Sequence, residues 1–177
     1  AQGNQFMLHW HIIPPHAYPQ GADELWQQAM PARVNQVKTL IQPATDHFLA
    51  VCTEDRPGHS IQWIPDAIML LQGQTTIDWT YLLRRVEQAA LTLRMRHALH
   101  CLHDLCQAPI PTDVLQQLAE MPVQAFEQWE QCNSPNAAAK VMTLWSEYQR
   151  RKWWQQQVGL AHDTVSLPHY LQARFAL

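Results

Sequence analysis

The chain has 177 residues, 47% apolar and 15% charged, the composition of a globular fold rather than a disordered segment. Twelve Lys+Arg against fifteen Asp+Glu leave a formal charge of −3, which argues against a nucleic-acid binder held mainly through phosphates. No apolar run approaches the ~20 residues that span a bilayer and the first residues do not read as a signal peptide, so a soluble, cytoplasmic chain without a membrane partner is expected.

Gln5–Ile13 is the best strand candidate, with Phe6, Leu8, Trp10 and Ile12 on one face and Met7, His9, His11 and Ile13 on the other. Pro14-Pro15 ends it. Ala22–Met30 predicts a short helix, and over Val34–Ile41 the alternation leaves strand and turn both open. From Pro43 the period becomes helical. Ala44–Glu54 groups Phe48, Val51 and Cys52, with Thr45 or Asp46 as N-cap. Ser60–Gln72 follows the turn signal Asp55-Arg56-Pro57-Gly58, with Pro65 near its first turn and Gly73 as its stop. Asp78 caps Trp79–Ala90, with Leu82, Leu83 and Val86 inward and Arg84, Arg85, Glu87 and Gln88 outward. Further helices are expected over Thr92–Cys106, from Thr112 or Asp113 to Glu120, over Pro122–Glu130 and over Ala137–Val158. The fold class expected is mainly α, about six to eight helices with one or a few short N-terminal strands.

Four cysteines, Cys52, Cys101, Cys106 and Cys132, show no Cys-x-x-Cys spacing and read as reduced thiols. The densest group of possible metal ligands runs from His97 to Cys106. On a helix His97, Cys101 and Asp104 share a stripe, and His100, His103 and Asp104 share the next. No fourth ligand stands at a recognisable spacing, so the histidines read as flanks of a buried leucine stripe, with His97, Cys101 and Asp104 the set to check as a metal site. His9 and His11 project from one strand face without an accompanying carboxylate and read as histidines at a cleft edge or interface. Arg150-Arg151-Lys152-Trp153-Trp154 could stack a base or pair a phosphate. Its plainer reading is a helix whose inward stripe is Val141, Leu144, Trp145 and Tyr148 and whose Arg151 and Lys152 favour the C-terminal dipole. Gly-x-Ser-x-Gly, the P-loop pattern, Gly-x-Gly-x-x-Gly and Asp-x-Asp are all missing from these 177 residues.

Several short patterns occur in order. They are Leu8-His9-Trp10, Trp26 with Ala29, Phe48-Leu49-Ala50-Val51-Cys52, Trp63-Ile64-Pro65-Asp66 preceded by His59, Ile77-Asp78-Trp79, and Ala108-Pro109-Ile110-Pro111. Together, over about residues 5 to 118, they resemble the C-terminal half of a bacterial family of uncharacterised nucleotidyltransferases in the polymerase-β-like superfamily. That resemblance implies NMP transfer from NTP with Mg²⁺, and an N-terminal catalytic domain whose Gly-Ser and Asp-x-Asp elements precede the Leu-His-Trp strand. Met7 stands where the family has a carboxylate and Glu54 where it has a histidine, so no cofactor and no catalytic residue are expected in this chain itself. Residues 1–42 would then be strand remnant and linker of the transferase-like domain, and 43–177 an α-helical domain facing the substrate. His9, Trp10, His11, His59, Trp63 and Asp66 would face the substrate or the catalytic domain, with Trp63 as core and Asp66 as a capping or solvent residue the plain alternative. The expected partner is that domain, or a second copy through strand 5–13. A non-catalytic helical binding or assembly module is the other function that fits.

Overall fold

The computed structural model describes residues 26–53, 63–73, 76–131, 137–157 and 167, with side chains of the last long helix described from 144 onward. The strand expected over Gln5–Ile13, and with it His9, Trp10 and His11, lies outside the described residues, as does His59. Two strands, β1 (Met30–Val34) and β2 (Val37–Ile41), precede seven helices among the described residues. These are α1 (Ala44–Thr53), α2 (Trp63–Gln72), α3 (Trp79–Gln88), α4 (Thr92–Cys106), α5 (Thr112–Glu120), α6 (Ala125–Gln131) and α7 (Ala137–Gln157).

The strands form an antiparallel hairpin in which Met30 faces Ile41 and Val34 faces Val37. Its two-residue turn, Asn35-Gln36, has φ of 46° and 70°, the left-handed pair that matches strand twist in a type I′ turn. Asn tolerates that region and Gln does so at a cost, which is why Asn-Gln did not announce a turn as Asn-Gly would. The helix expected over Ala22–Met30 needs correction: only residues 26–28 of its described part are helical, and Met30 opens β1. Pro31 is tolerated there because every strand of a two-stranded ribbon is an edge. The ribbon stays largely uncovered, with Met30, Val34, Val37, Leu40 and Ile41 all exposed.

The core lies among the helices. Phe48 and Leu49 of α1, Leu82 and Val86 of α3, and Met95, Leu99 and Leu102 of α4 are almost fully buried and pack together. Val114 and Leu118 of α5 close one side. Trp79 meets Phe48 edge to face, with centroids 5.9 Å apart and planes at 85°. Helix α1 packs on α2, α3 and α4, while α6 bridges α4 to α7.

Helix ends account for much of the remaining detail. Asp78 caps α3: its Oδ1 accepts the Tyr81 N–H at 2.9 Å, as the sequence predicts. Helix α3 ends with Ala90 at φ 48°, Leu91 N–H bonding back to Val86 O and Ala90 N–H to Glu87 O, a Schellman ending normally given to glycine. The last carbonyls of α5 are gathered by one guanidinium nitrogen of Arg96, which lies within 2.9–3.2 Å of Leu118 O, Ala119 O and Met121 O.

Candidate functional site

The residues that sequence reasoning assigned to a substrate- or domain-facing surface are described only in part. Trp63 opens α2, half-buried, and packs against the core. Asp66 lies exposed in the same first turn, where a carboxylate suits the helix dipole. On α4, His97 and Asp104 are exposed and Cys101 is half-buried. Asp104 is taken up by two neighbours, His103 Nδ1 at 2.8 Å and His100 Nδ1 at 3.7 Å. The bond to His103 holds the Asp104 carboxyl below the ordinary carboxylate range. Desolvation, then the nearby Cys106 and Asp104, push the Cys101 thiol up, away from the thiolate a metal would need. Among the described residues no three His, Cys, Asp or Glu side chains gather as a group that could hold a metal ion.

A more concentrated arrangement lies where α1 meets α3. Asp46, on the first turn of α1, is 1% exposed, and Arg85, on α3, is 3% exposed. Arg85 Nε stands 3.9 Å from Asp46 Oδ1. The Tyr81 hydroxyl donates to the same carboxylate, 3.1 Å from Oδ1 and 3.3 Å from Oδ2. Next to it the Asp78 N–H donates to Thr45 Oγ1 at 3.0 Å, so cap and clamp join the two helices in adjacent turns. The guanidinium carbons of Arg84 and Arg85 lie 5.3 and 5.8 Å from the centre of the Tyr81 ring.

This corner corrects two expectations. Thr45 and Asp46 are not spent on capping α1, because one receives the α3 backbone and the other a buried cation and a phenol. Arg85 points inward rather than outward. Its position three residues after Leu82 and four after Tyr81 puts it on the border of the apolar stripe, and a buried carboxylate across the interface draws it in. Burial first, then the Asp46 charge, push the Tyr81 hydroxyl up to about 12. Tyr81 is therefore a neutral hydrogen-bond donor at physiological pH, and its hydrogen bond goes to the buried Asp46 carboxylate.

A second buried charge network ties α6 and α7 to the α3–α4 junction. Arg150, 1% exposed, grips Glu130 with two bonds, Nε to Oε1 at 3.1 Å and Nη2 to Oε2 at 2.8 Å. Its Nη1 donates to the carbonyls of Ala89 and, at 2.7 Å, of Ala90, the end of α3. Arg94 adds a bond to Glu130 Oε2 at 3.1 Å. Glu127 accepts the Gln124 N–H at the start of its own helix and the Leu93 N–H at the start of α4, both at 2.9 Å. The expected inward stripe of α7 is thus rotated: Ser146, Glu147, Arg150 and Trp154 are buried while Trp145 is 38% exposed. Arg150 turns the helix because its partners are backbone carbonyls and a glutamate that no periodicity reveals.

No described helix is long and apolar enough to cross a membrane. A family model described as an uncharacterised nucleotidyltransferase matches residues 1–107, which includes the Asp46–Tyr81–Arg85 corner and stops at the end of α4. No curated protein and no solved structure matches the chain.

Proposed function

The chain belongs to this family of uncharacterised nucleotidyltransferases, and from that premise we propose that it forms the helical, substrate-facing region of an enzyme that transfers NMP from NTP to an acceptor. The catalytic unit would carry the Gly-Ser and Asp-x-Asp elements upstream of residue 1. In such a transfer the acceptor oxygen bonds the α-phosphorus, the bond to the β-phosphate bridge breaks, and pyrophosphate leaves. The described residues do not fit the Mg²⁺ that the family resemblance implies. Asp46 is buried against Arg85 and Tyr81, and no group of three possible ligands forms among the described residues.

The observation that carries the reading is the α1–α3 corner inside the matched stretch. A buried Asp46–Arg85 pair braces Tyr81, and over the Tyr81 ring stands Arg84, exposed and able to pair with an anion. The surface opposite is expected to be the catalytic unit and its bound nucleotide, with His9, Trp10, His11 and His59 contributed from outside the described residues.

The 177 residues alone should leave every acceptor unlabelled when incubated with labelled NTPs and Mg²⁺ or Mn²⁺. Expressed with the coding sequence upstream of Ala1, the protein should label its acceptor, and Arg84→Ala should reduce that labelling about ten-fold while preserving the fold. Labelling by the 177 residues alone, abolished by EDTA, would overturn the proposal. The second reading, an assembly module without catalysis, draws on the uncovered apolar face of the hairpin. It predicts an upstream sequence without Asp-x-Asp, and self-association that Val34→Lys with Val37→Lys on the hairpin abolishes.

A further inference from the structure

Between α6 and α7 lies a groove of about 290 Å³, close to the lower end of cavities that hold small ligands. It begins beyond residue 107, so it is separate from the matched stretch and does not rest on the transferase reading. Phe126 and Trp129 line it from α6, and Gln149, Lys152, Trp153 and Gln156 from α7. Those four α7 residues fall at i, i+3, i+4 and i+7, one continuous face.

Three features decide what such a groove can hold. Trp129 and Trp153 are both half-buried, and although one side of Trp153 packs on the core and on Phe126, each leaves part of its indole surface open to the groove. Lys152 is exposed and, among the described residues that line the groove, none is acidic, so the local charge is positive in a chain that is acidic overall. Gln149 and Gln156 bring carboxamides, each able to donate and accept, to the edges of whatever stacks between them.

The walls are also held rigidly. Trp153 meets Phe126 edge to face at 6.1 Å, and the Arg150 guanidinium carbon lies 4.8 Å from the Phe126 ring centre. Arg150 is in turn locked by Glu130 and by the carbonyls ending α3. Little order has to be created when a ligand enters, which lowers the cost of binding.

We propose that this groove binds a nucleoside monophosphate: a planar heteroaromatic base stacked on Trp129 and Trp153, its polar edge read by the glutamine amides, its phosphate paired with Lys152. Calorimetric titration of the 177-residue chain with AMP, GMP, CMP and UMP at low salt tests it. At least one nucleotide should bind saturably at one site. Trp129→Ala should weaken that binding roughly five-fold or more, and Trp129→Phe should restore most of it. Lys152→Gln, at an exposed position that leaves the fold intact, should weaken the nucleotide but not the corresponding nucleoside. Ribose 5-phosphate, lacking the base, should bind at least ten-fold more weakly. No saturable binding of any of the four nucleotides would overturn the proposal, and so would binding that neither Trp129→Ala nor Lys152→Gln alters. Because no transfer reaction is measured, failure here leaves the transferase reading standing, and failure of that reading leaves this one standing.

Discussion

Two buried charge networks hold this chain together, and they join different kinds of partner. At the α6–α7 end, Arg150 meets Glu130 with two short bonds and spends its third nitrogen on the carbonyls that end α3. At the α1–α3 corner, Arg85 Nε stands 3.9 Å from Asp46 Oδ1, and the Tyr81 hydroxyl donates to the same oxygen at 3.1 Å. The first replaces hydrogen bonds the backbone would otherwise lack, so its role is structural. The second gathers a buried carboxylate, a buried guanidinium and a neutral phenol between two helices, so its bonds run from side chain to side chain rather than to helix-end carbonyls.

The largest expected effect tests the tighter network. Arg150→Met keeps the stem but leaves Glu130 with Arg94 as its described cationic partner and frees the Ala89 and Ala90 carbonyls. Urea denaturation should show a loss of about 3 kcal/mol or more. Adding Glu130→Gln should return part of it, since the two residues act as one unit. A cost under about 1 kcal/mol for Arg150→Met would erase the contrast between the two networks.

A smaller effect tests the corner. Asp46→Asn removes the charge shared by Arg85 and Tyr81 and should cost about 1–3 kcal/mol, less than Arg150→Met because the ion pair it breaks is longer. The alkaline limb gives an independent check. Tyr81 titrates higher folded, about 12, than its ordinary 10, so folding binds its proton. Its contribution is complete below pH 10 and is lost as pH rises through 12. Tyr81→Phe should therefore flatten the fall of stability with rising pH across that window. An unchanged slope would show that burial in the corner does not raise the Tyr81 hydroxyl.

The helices were far more legible than these networks. Thr92–Cys106 and Thr112–Glu120 follow from apolar spacing and proline stops, and the Asp78 cap from its place before Trp79. Such signals are local, carried within one or two turns. The partners of Arg85 and Arg150 are 39 and 20 residues away from them in Asp46 and Glu130, and charge in a sequence is read by default as solvent-facing. Glu127 carried a legible clue, standing three residues after Gln124 in the capping-box position, whereas its bond to Leu93 had none. The hairpin was half legible, because Asn35-Gln36 lacks the glycine that marks a tight turn. The corner inside the matched stretch was reached only by folding α1 onto α3.

The smallest effect lies at Ala90 and asks how far the tight network shapes the backbone it grips. Ala90 takes φ 48°, where a Cβ clashes with the carbonyl and costs about 1 kcal/mol. Ala90→Gly should relieve that strain but admit more freedom to the unfolded chain, a net gain of about 0.5 kcal/mol read as a rise in melting temperature. One nitrogen of Arg150 holds both Ala89 O and Ala90 O, the two carbonyls that flank this left-handed turn. If the arginine enforces the turn, the glycine gain should change when measured in the Arg150→Met background. A coupling above about 0.5 kcal/mol in that double-mutant cycle assigns the conformation to Arg150. Strict additivity would assign it to the local Schellman bonds from Leu91 to Val86 and from Ala90 to Glu87, leaving the guanidinium as a cap on a turn that forms without it.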